Sequence, residues 1–502
     1  MQRSVSIGKY TLESLTAGMY SSPKDLYREY IQNSVDSIDQ AIGACILDKN
    51  SANITISIDK KNRYISIEDN GLGVPADQCL KRLTDIGNSN KIYSTSRGFR
   101  GIGRLAGLSY CEKLSFITSY EGESKKSTLV FDCSRLKQLL IPGQFSEYDL
   151  SSVLSEVINY KVAPESSNKH YFKVVLEGVE DIDNILNIEE MKDYLCQVTP
   201  LPFNDDTFKW GKEIRDRFKI KGINIGEYNI FIGHENKREK LFKFYTDSFL
   251  TDKIKKITDE IKNVEITEIY DEKGNVQAIL WYSISNFFGT ILDESKKGIR
   301  FRKGNILIGD KSTLNSIFKE DRFNGWFQGE IYIIDENLIP NARRDNFEKN
   351  SAYIHLTSEL SSIGDKLSKI IRNLSNARND KNSKVLNDAE VLIDRAGKFL
   401  KAGFNSQKEK DGLANELLKH KSELEKTNIK DELNINRKVD IFKQLNILAN
   451  NVKGATNFKI LNLSQKLTIE QKKILEKVFE VISDECSKED SDHLISKIME
   501  KF

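Results

Sequence analysis

The 502-residue chain has almost no excess of either charge: 76 Lys and Arg stand against 74 Asp and Glu, a net charge of +2. That balance excludes a global electrostatic drive toward nucleic acid and leaves only local basic grooves for such a partner. Cysteine and histidine are sparse, at six and five residues. No two cysteines form a CxxC pair and the histidines are isolated, so zinc-type ligand spacing is missing. Cys45, Cys79, Cys111, Cys133, Cys196 and Cys486 read as reduced thiols of a cytoplasmic protein, used mostly for packing. No apolar run reaches the length of a membrane span. The most apolar stretch, "VQAILWYSISNFFGTIL", is broken by serines, Asn286 and Gly289, and reads as sheet core. The N-terminal "MQRSVSIGKY" lacks the apolar centre of a signal peptide. What is present, 39% hydrophobic and 30% charged residues, predicts two to four soluble domains.

Residues 1–205 alternate helix and strand patterns. "SPKDLYREYIQNSVDSIDQAI" is an amphipathic helix, and "NITISID" and "RYISIED" are strands around a "KKN" turn. "KLSFITSYEG", "KSTLVFDC" and "KHYFKVVLEGV" add further strands, so this part is a mixed sheet with helices. Residues 206–355 form a second strand-rich domain ("EYNIFIG", "VQAILWYSIS", "GIRFRKGNILIGD", "GEIYIID") after a linker at "LPFNDD". From 356 to 502 the strands disappear. Leu356, Leu360, Ile363, Leu367, Ile370, Leu374 and Ala377 follow alternating spacings of four and three, the pattern of a coiled-coil seam, and Leu413, Leu417, His420 and Leu424 repeat it. Thr468 and Gln471 form a capping-box signature before "KKILEKVFEVI". The chain is thus read as α+β with a helical, partly coiled-coil C-terminal region, and that region as the place where two copies pair.

"RGFRGIGRLAG" (97–107) holds four glycines. Such density serves a close backbone approach or positive φ, and a glycine-rich loop that opens a helix is a ready phosphate cradle. The loop fits neither GxxxxGK[ST] nor a strand-linked GxGxxG. On the first long helix, Glu29, Asn33 and Asp36 are spaced i, i+4, i+7 and share one face. The asparagine carbonyl suits Mg²⁺, and a nearby glutamate suits proton abstraction from water. "IEDNGLGVP" (67–75) ends a strand at Asp69; a carboxylate buried there needs a donor, and the exocyclic amine of adenine is one.

"EYIQNSVD", "DNGLG" and "GFRGIG", in this order, resemble the N, G1 and G2 boxes of the GHKL superfamily, which includes gyrase, the heat-shock chaperones, histidine kinases and MutL. The resemblance covers about the first 200 residues and implies a Bergerat α/β sandwich that binds ATP with Mg²⁺. It implies Glu29 as the general base, Asn33 as the Mg²⁺ ligand and Asp36 lower in the pocket. It places Asp69 on the adenine amine, with Gly71 and Gly73 in the turn that lies against the base. Lys91 falls in "IGNSNK", where the chaperones carry a phosphate-proximal lysine. Gly98, Phe99, Arg100, Gly101, Ile102 and Gly103 are the implied phosphate cradle; Arg100 and Arg104 are either structural or face the nucleotide. One departure is the late strand, where many members carry a Gly-Thr pair. "KHYFKVVLEGV" has none, and His170 or Phe172 are the candidates for that wall.

A histidine kinase carries its phospho-accepting histidine ahead of the ATP domain; here no histidine precedes His170. "EIYIIDENLIPNARRDNFEKN" instead resembles the middle domain of the ninety-kilodalton heat-shock chaperones. Asn341 and Arg344 fall on that family's positions, and the resemblance implies that the arginine reaches the γ-phosphate, with Arg343 the neighbouring candidate. The C-terminal region does not resemble the chaperones' own. The expectation is a bacterial-type, chaperone-like ATPase clamp: a Mg²⁺-dependent homodimer acting on a protein client in stress or phage defence, with a MutL- or Morc-type nucleic-acid clamp as the alternative.

Overall fold

The computed structural model describes residues 7–499, apart from 17, 21, 88–100, 235–236, 255, 380, 428–431, 459–466 and 487. Two short-to-long helices open the chain, α1 (Tyr10–Leu15) and α2 (Asp25–Gly43). Strands β1 (Asn53–Asp59) and β2 (Tyr64–Asp69) follow as an antiparallel pair. Then come α3 (Ala76–Thr84), β3 (Lys113–Ser119), β4 (Lys125–Asp132), α4 (Cys133–Leu139), α5 (Leu150–Val157), β5 (Ile158–Pro164) and β6 (Tyr171–Glu177). Helices α6 (Ile188–Val198) and α7 (Trp210–Ile220) lead to β7 (Asn229–His234) and β8 (Lys237–Lys240). These eight strands form one sheet in the order β5-β4-β3-β6-β2-β1-β7-β8.

Strand alternation explains the layers. Ile54, Ile56 and Ile58 of β1 and Ile65 and Ile67 of β2 are buried. Thr55 and Ser57 turn to the other face, as a period of two requires. The apolar stripe of α2, with Leu26, Tyr27, Tyr30, Ile31, Val35 and Ile38, belongs to the same core. Each such side chain is worth about 1.5–3 kcal/mol of burial. β7 and β8 join this sheet although they follow residue 205, where the sequence places the end of the first domain. β7 runs parallel to β1, Ile54 beside Ile230.

A second set of strands comprises the pair β9 (Ser248–Asp252) and β10 (Ile257–Glu260) and a five-stranded sheet. That sheet contains β11 (Asn263–Tyr270), β12 (Val276–Ile284), β13 (Gly298–Lys303), β14 (Ile306–Ile308) and β15 (Gln328–Ile333), in the order β11-β12-β15-β13-β14. Its aromatic core holds Phe203, Phe208, Phe218, Tyr245, Trp281 and Tyr332. Phe203 comes from "LPFNDD", so that segment is packed in place.

The chain divides into two compact units, Met1–Ser368 and Lys369–Phe502. Helix α8 (Ser351–Asn379) runs from the first into the second, and α9 (Lys381–Ala402), α10 (Gln407–Lys426), α11 (Glu432–Gly454), α12 (Ile469–Glu485) and α13 (Lys488–Met499) complete the second. Leu386, Leu413, Leu417, Leu424, Ile441 and Leu445 form the core of α9, α10 and α11. The capping box at the start of α12 is formed: Gln471 N–H donates to Thr468 Oγ1 at 3.3 Å, and Thr468 N–H to Gln471 Oε1 at 2.9 Å.

Candidate nucleotide site

Helix α2 turns Glu29, Asn33, Ser37 and Gln40 into one cavity. The spacing i, i+4, i+8, i+11 keeps all four on one face. Apolar walls come from the sheet. Phe116 and Val174 are a cross-strand pair, Phe172 lies beside Thr118, and the Phe116 and Phe172 ring centres are 5.8 Å apart. Gly73 and Val74 close one side, and Gly101, Ile102 and Gly103 another. Two of these glycines are sterically required. Gly73 has φ +73°, and a Cβ there would overlap the Ser119 carbonyl oxygen. A Cβ on Gly103 would overlap Glu29 Oε2.

Tyr30, one position past Glu29, ties the glycine turn to α2. Its hydroxyl accepts from Gly107 N–H at 2.9 Å and donates to the Arg104 carbonyl at 3.2 Å. Arg104 in turn donates to the Asp85 carbonyl. Burial lowers its pKa to about 10. It also lines the cavity, as does Arg82 of α3.

Glu29 is buried and faces two guanidinium groups. Arg28 Nε lies 3.6 Å and Arg344 Nε 3.4 Å from Glu29 Oε1. Arg344 is aimed here by a tight loop. Asn341 N–H donates to the Asn346 carbonyl, Asn341 Nδ2 to Asp345 Oδ1, and Gly309 N–H to the Arg344 carbonyl. Arg344 takes φ +59°, a left-handed conformation that side-chain-bearing residues adopt only under constraint. Burial pulls the pKa of its guanidinium down, against the Glu29 charge that favours it. Arg343 is exposed, and its carbonyl accepts from Arg28 Nη2 at 3.4 Å. Of the two neighbours it is therefore Arg344 whose side chain enters the cavity. Tyr20 also lines the cavity, with its phenol pushed upward by burial and by Glu29.

Asp69 closes the end of β2 and is 1% exposed. Its Oδ1 accepts from Gly71 N–H at 3.0 Å, while Oδ2 has no partner within hydrogen-bonding distance among the described residues. Burial pushes its pKa up to about 7, with Ser34, Gly71 and Ser37 opposing the rise only in part. Asp69 is one side chain back from the cavity lining; Ser37, which does line it, stands beside it at the α-carbon of Gly71. His170 Nδ1 meets the Gly71 carbonyl at 2.7 Å, so His170 fixes the turn, whereas Phe172 forms the wall. The threonine missing from β6 has a counterpart on β3. Thr118 Oγ1 accepts from Val74 N–H and donates to the Tyr171 carbonyl, both at 2.9 Å.

The structure thus gathers Glu29, Asn33, Gly73, Gly101, Ile102, Gly103, Asn341 and Arg344 around one cavity. Asp36 is buried outside the lining, near enough for its charge to act on Arg344. Lys91, Gly98, Phe99 and Arg100 lie outside the described residues. Sequence reasoning missed Tyr20, Ser37 and Phe116. Ser37 was signalled by the α2 face itself; Tyr20 and Phe116 carry no local signal. Among the described residues, no group of three or more His, Cys, Asp and Glu side chains could hold a metal, and no helix is long and apolar enough to cross a membrane.

Residues 20–156 match the family model for histidine kinase-, DNA gyrase B- and HSP90-like ATPases. Similar curated proteins include the chaperone protein HtpG of Coxiella burnetii, 35% identical over 98 residues (18% of this chain, 15% of that protein). HtpG of Buchnera aphidicola is 28% identical over 141 residues (24% and 22%). HtpG of Wigglesworthia glossinidia brevipalpis is 24% identical over 283 residues (54% and 40%). The chain therefore spans well under half the length of these relatives. The segment that matches this family model, residues 20–156, carries α2, the β2 end and the glycine turn, the elements that line the cavity.

Proposed function

We propose that this chain is an ATP-binding and ATP-hydrolysing molecular clamp of the chaperone-like kind. The observation that carries the reading is the meeting of Glu29 and Arg344. A carboxylate from the first sheet's helix and an arginine from beyond the second sheet, 315 positions along the chain, converge on one cavity at 3.4 Å.

The residues present fit the nucleotide. Asp69 Oδ2 is a buried acceptor that awaits a donor, and the adenine amine supplies one. Phe116, Phe172 and Val174 give an apolar slot for the base, and Gly73 and Gly103 let their turns close against Ser119 and Glu29 at its edge. Asn33 offers one carbonyl oxygen. A single protein oxygen suits Mg²⁺, which keeps its waters and takes its other ligands from phosphates. Bound there, Mg²⁺ would neutralise phosphate charge.

In this reading Glu29 takes a proton from the attacking water. Arg344 then has two anions to choose between. In the structure it faces Glu29; with a γ-phosphate bound it offers fixed charge and paired donors to the phosphate instead. Transfer of Arg344 frees Glu29 and links the second sheet's loop to the state of the nucleotide. Loss of the γ-phosphate returns it, which is the logic of nucleotide-ordered switches. Two copies joined through the helical region would open and close on a protein client.

The test is Mg²⁺-dependent ATP turnover by the purified chain against Glu29→Ala and Arg344→Ala. Both variants should bind ATP and lose turnover by ~10²–10³-fold. Turnover that survives Glu29→Ala would remove Glu29 as the base, and absence of ATP binding by the unaltered chain would end the reading.

A further inference from the structure

Thr118, Ser34 and Ser37 bring hydroxyls toward the turn that follows Asp69, and the fold uses them differently. Thr118 spends its hydroxyl on two backbone groups, the Val74 N–H and the Tyr171 carbonyl. Ser34 is buried and helps to hold the Asp69 charge, but it is not part of the cavity lining. Ser37 is part of it, on the same face of α2 as Asn33 and one turn further on. A serine inside a helix can turn its hydroxyl back on the carbonyl four residues earlier. Ser37 makes no such bond: its Oγ is buried and has no hydrogen-bond partner among the described residues.

The glycine turn holds Ser37 against Asp69. Leu72 N–H donates to the Ser37 carbonyl at 3.2 Å, which docks the turn on α2. A Cβ on Gly71 would overlap both Ser37 Oγ and Asp69 Oδ1, so the hydroxyl and the carboxylate flank one α-carbon. The corner therefore presents an unspent hydroxyl beside an unpartnered carboxylate oxygen, Asp69 Oδ2.

Two unanswered polar groups in one corner call for a ligand with the matching pair. The carboxylate oxygen accepts and the hydroxyl can donate. Adenine carries that complement on one edge, its amine as donor and the adjacent ring nitrogen N1 as acceptor. Guanine would set a carbonyl oxygen against the carboxylate. The direction of α2 selects N1 over N7, the other nitrogen that flanks the amine. Glu29 and Asn33 are the phosphate end of the site in the reading above, and Ser37 lies ~6 Å beyond Asn33 along the helix. N1 is the flanking nitrogen remote from the ribose.

We propose that Ser37 takes the place at the base left by the threonine that β6 lacks, its hydroxyl donating to adenine N1 while Asp69 Oδ2 accepts from the amine. This rests on the nucleotide reading and adds to it a base-selecting residue. The test is calorimetric affinity of the full chain, with Mg²⁺, for ATP, for 1-deaza-ATP, which lacks the N1 acceptor, and for 7-deaza-ATP. The unaltered chain should bind 1-deaza-ATP about tenfold more weakly than ATP, and 7-deaza-ATP as tightly as ATP. Ser37→Ala should bind ATP about tenfold more weakly and no longer tell it from 1-deaza-ATP. A Ser37→Ala chain that weakens all three nucleotides alike and keeps the 1-deaza penalty would overturn the proposal, as would an unaltered chain sensitive to N7 in place of N1. The comparison of nucleotides on the unaltered chain needs no variant to fold. An unaltered chain that binds none of the three overturns the nucleotide reading itself; one that binds ATP and 1-deaza-ATP equally overturns the role of Ser37 alone.

Discussion

Each of the two larger sheets of the first unit buries a carboxylate, Glu330 and Asp69, and the two are treated in opposite ways. Glu330, in the middle of β15, is fully buried inside a complete set of partners. Lys243 Nζ donates to both its oxygens at 2.7 Å, Arg302 Nε to Oε1 at 2.7 Å, the Tyr332 hydroxyl to Oε2 at 2.7 Å and Trp281 Nε1 to Oε2 at 3.3 Å. Burial works against its charge, but the Lys243 and Arg302 cations outweigh it and hold its pKa down at about 2. Asp69, at the end of β2, is just as buried; among the described residues no cation acts on it and one oxygen lacks a partner, and its pKa is pushed up to about 7. A buried carboxylate answered within the fold is structure. One left unanswered beside a cavity is a place for a ligand.

The largest effect should come from removing the satisfied charge. Glu330→Gln keeps the shape and leaves two cations buried, which should lower stability by about 3–5 kcal/mol, read as the shift of a urea or thermal unfolding transition. Because the Glu330 pKa is depressed, its contribution is present above the ordinary carboxylate range and is lost as pH falls toward about 2. Adding Lys243→Met to Glu330→Gln should recover part of the loss. If Glu330→Gln proves neutral, the distinction between the two carboxylates fails on the structural side.

Asp69→Asn should do the reverse: an unfolding transition little changed near pH 4 and raised above pH 7, where the buried carboxylate is charged, but a fall of ~100-fold in affinity for ATP, because an amide can offer the adenine amine a donor where it needs an acceptor. Equal loss of stability in both variants would erase the contrast.

How far each side of this contrast could be read from the sequence differs. Asp69 was legible because "DNGLG" is local: a strand end, a carboxylate and two glycines within five residues. The α2 face was legible because helical spacing turns Glu29 and Asn33 the same way. Arg344 came from a short motif whose reach across 315 positions no periodicity reveals. The Glu330 knot was not legible at all. Lys243, Arg302 and Glu330 lie on three separate segments, and only the β13–β15 pairing and the packing of residue 243 beneath them bring the charges together. The sequence alone puts β7 and β8 past the first domain, because strand identity is local and strand partnership is not. The heptad seams were seen in the right register through Leu367, but whether a seam pairs within or between chains depends on neighbours far along the sequence.

pH sharpens the comparison at the level of about tenfold. Asp69 has a native pKa raised to about 7, above the ~3.9 of an unfolded Asp, so the native state holds the extra proton between those values. Its favourable contribution is full below pH ~4 and is lost as pH rises through 7, up to roughly 4 kcal/mol over that window. Asp69→Asn should remove that slope. Nucleotide affinity should move the other way. The adenine amine favours the carboxylate, so ATP should bind about tenfold more tightly at pH 8 than at pH 6, with a proton released on binding at the lower pH. Calorimetry in buffers of different ionisation enthalpy measures that proton directly. Flat affinity and no proton release would mean that Asp69 does not meet the base.

The smallest effect concerns the wall where β6 lacks its threonine. Thr118 on the adjacent strand spends its hydroxyl on two backbone groups, Val74 N–H and the Tyr171 carbonyl, so it holds the Gly73 turn against the sheet and has no proton left for a ligand. Thr118→Val keeps the shape and strands two buried backbone groups, which should cost about 1–3 kcal/mol of stability. Its effect on ATP affinity should be a few-fold at most, through a looser turn. Phe172→Thr returns the residue type of the family's late strand while removing an aromatic wall. If the wall acts by packing, that variant should weaken adenosine and ATP binding equally, by several-fold, and leave turnover of bound ATP unchanged. If affinity rises instead, the base is held by a hydroxyl that this chain has given up, and the apolar slot is the wrong account of how adenine would sit.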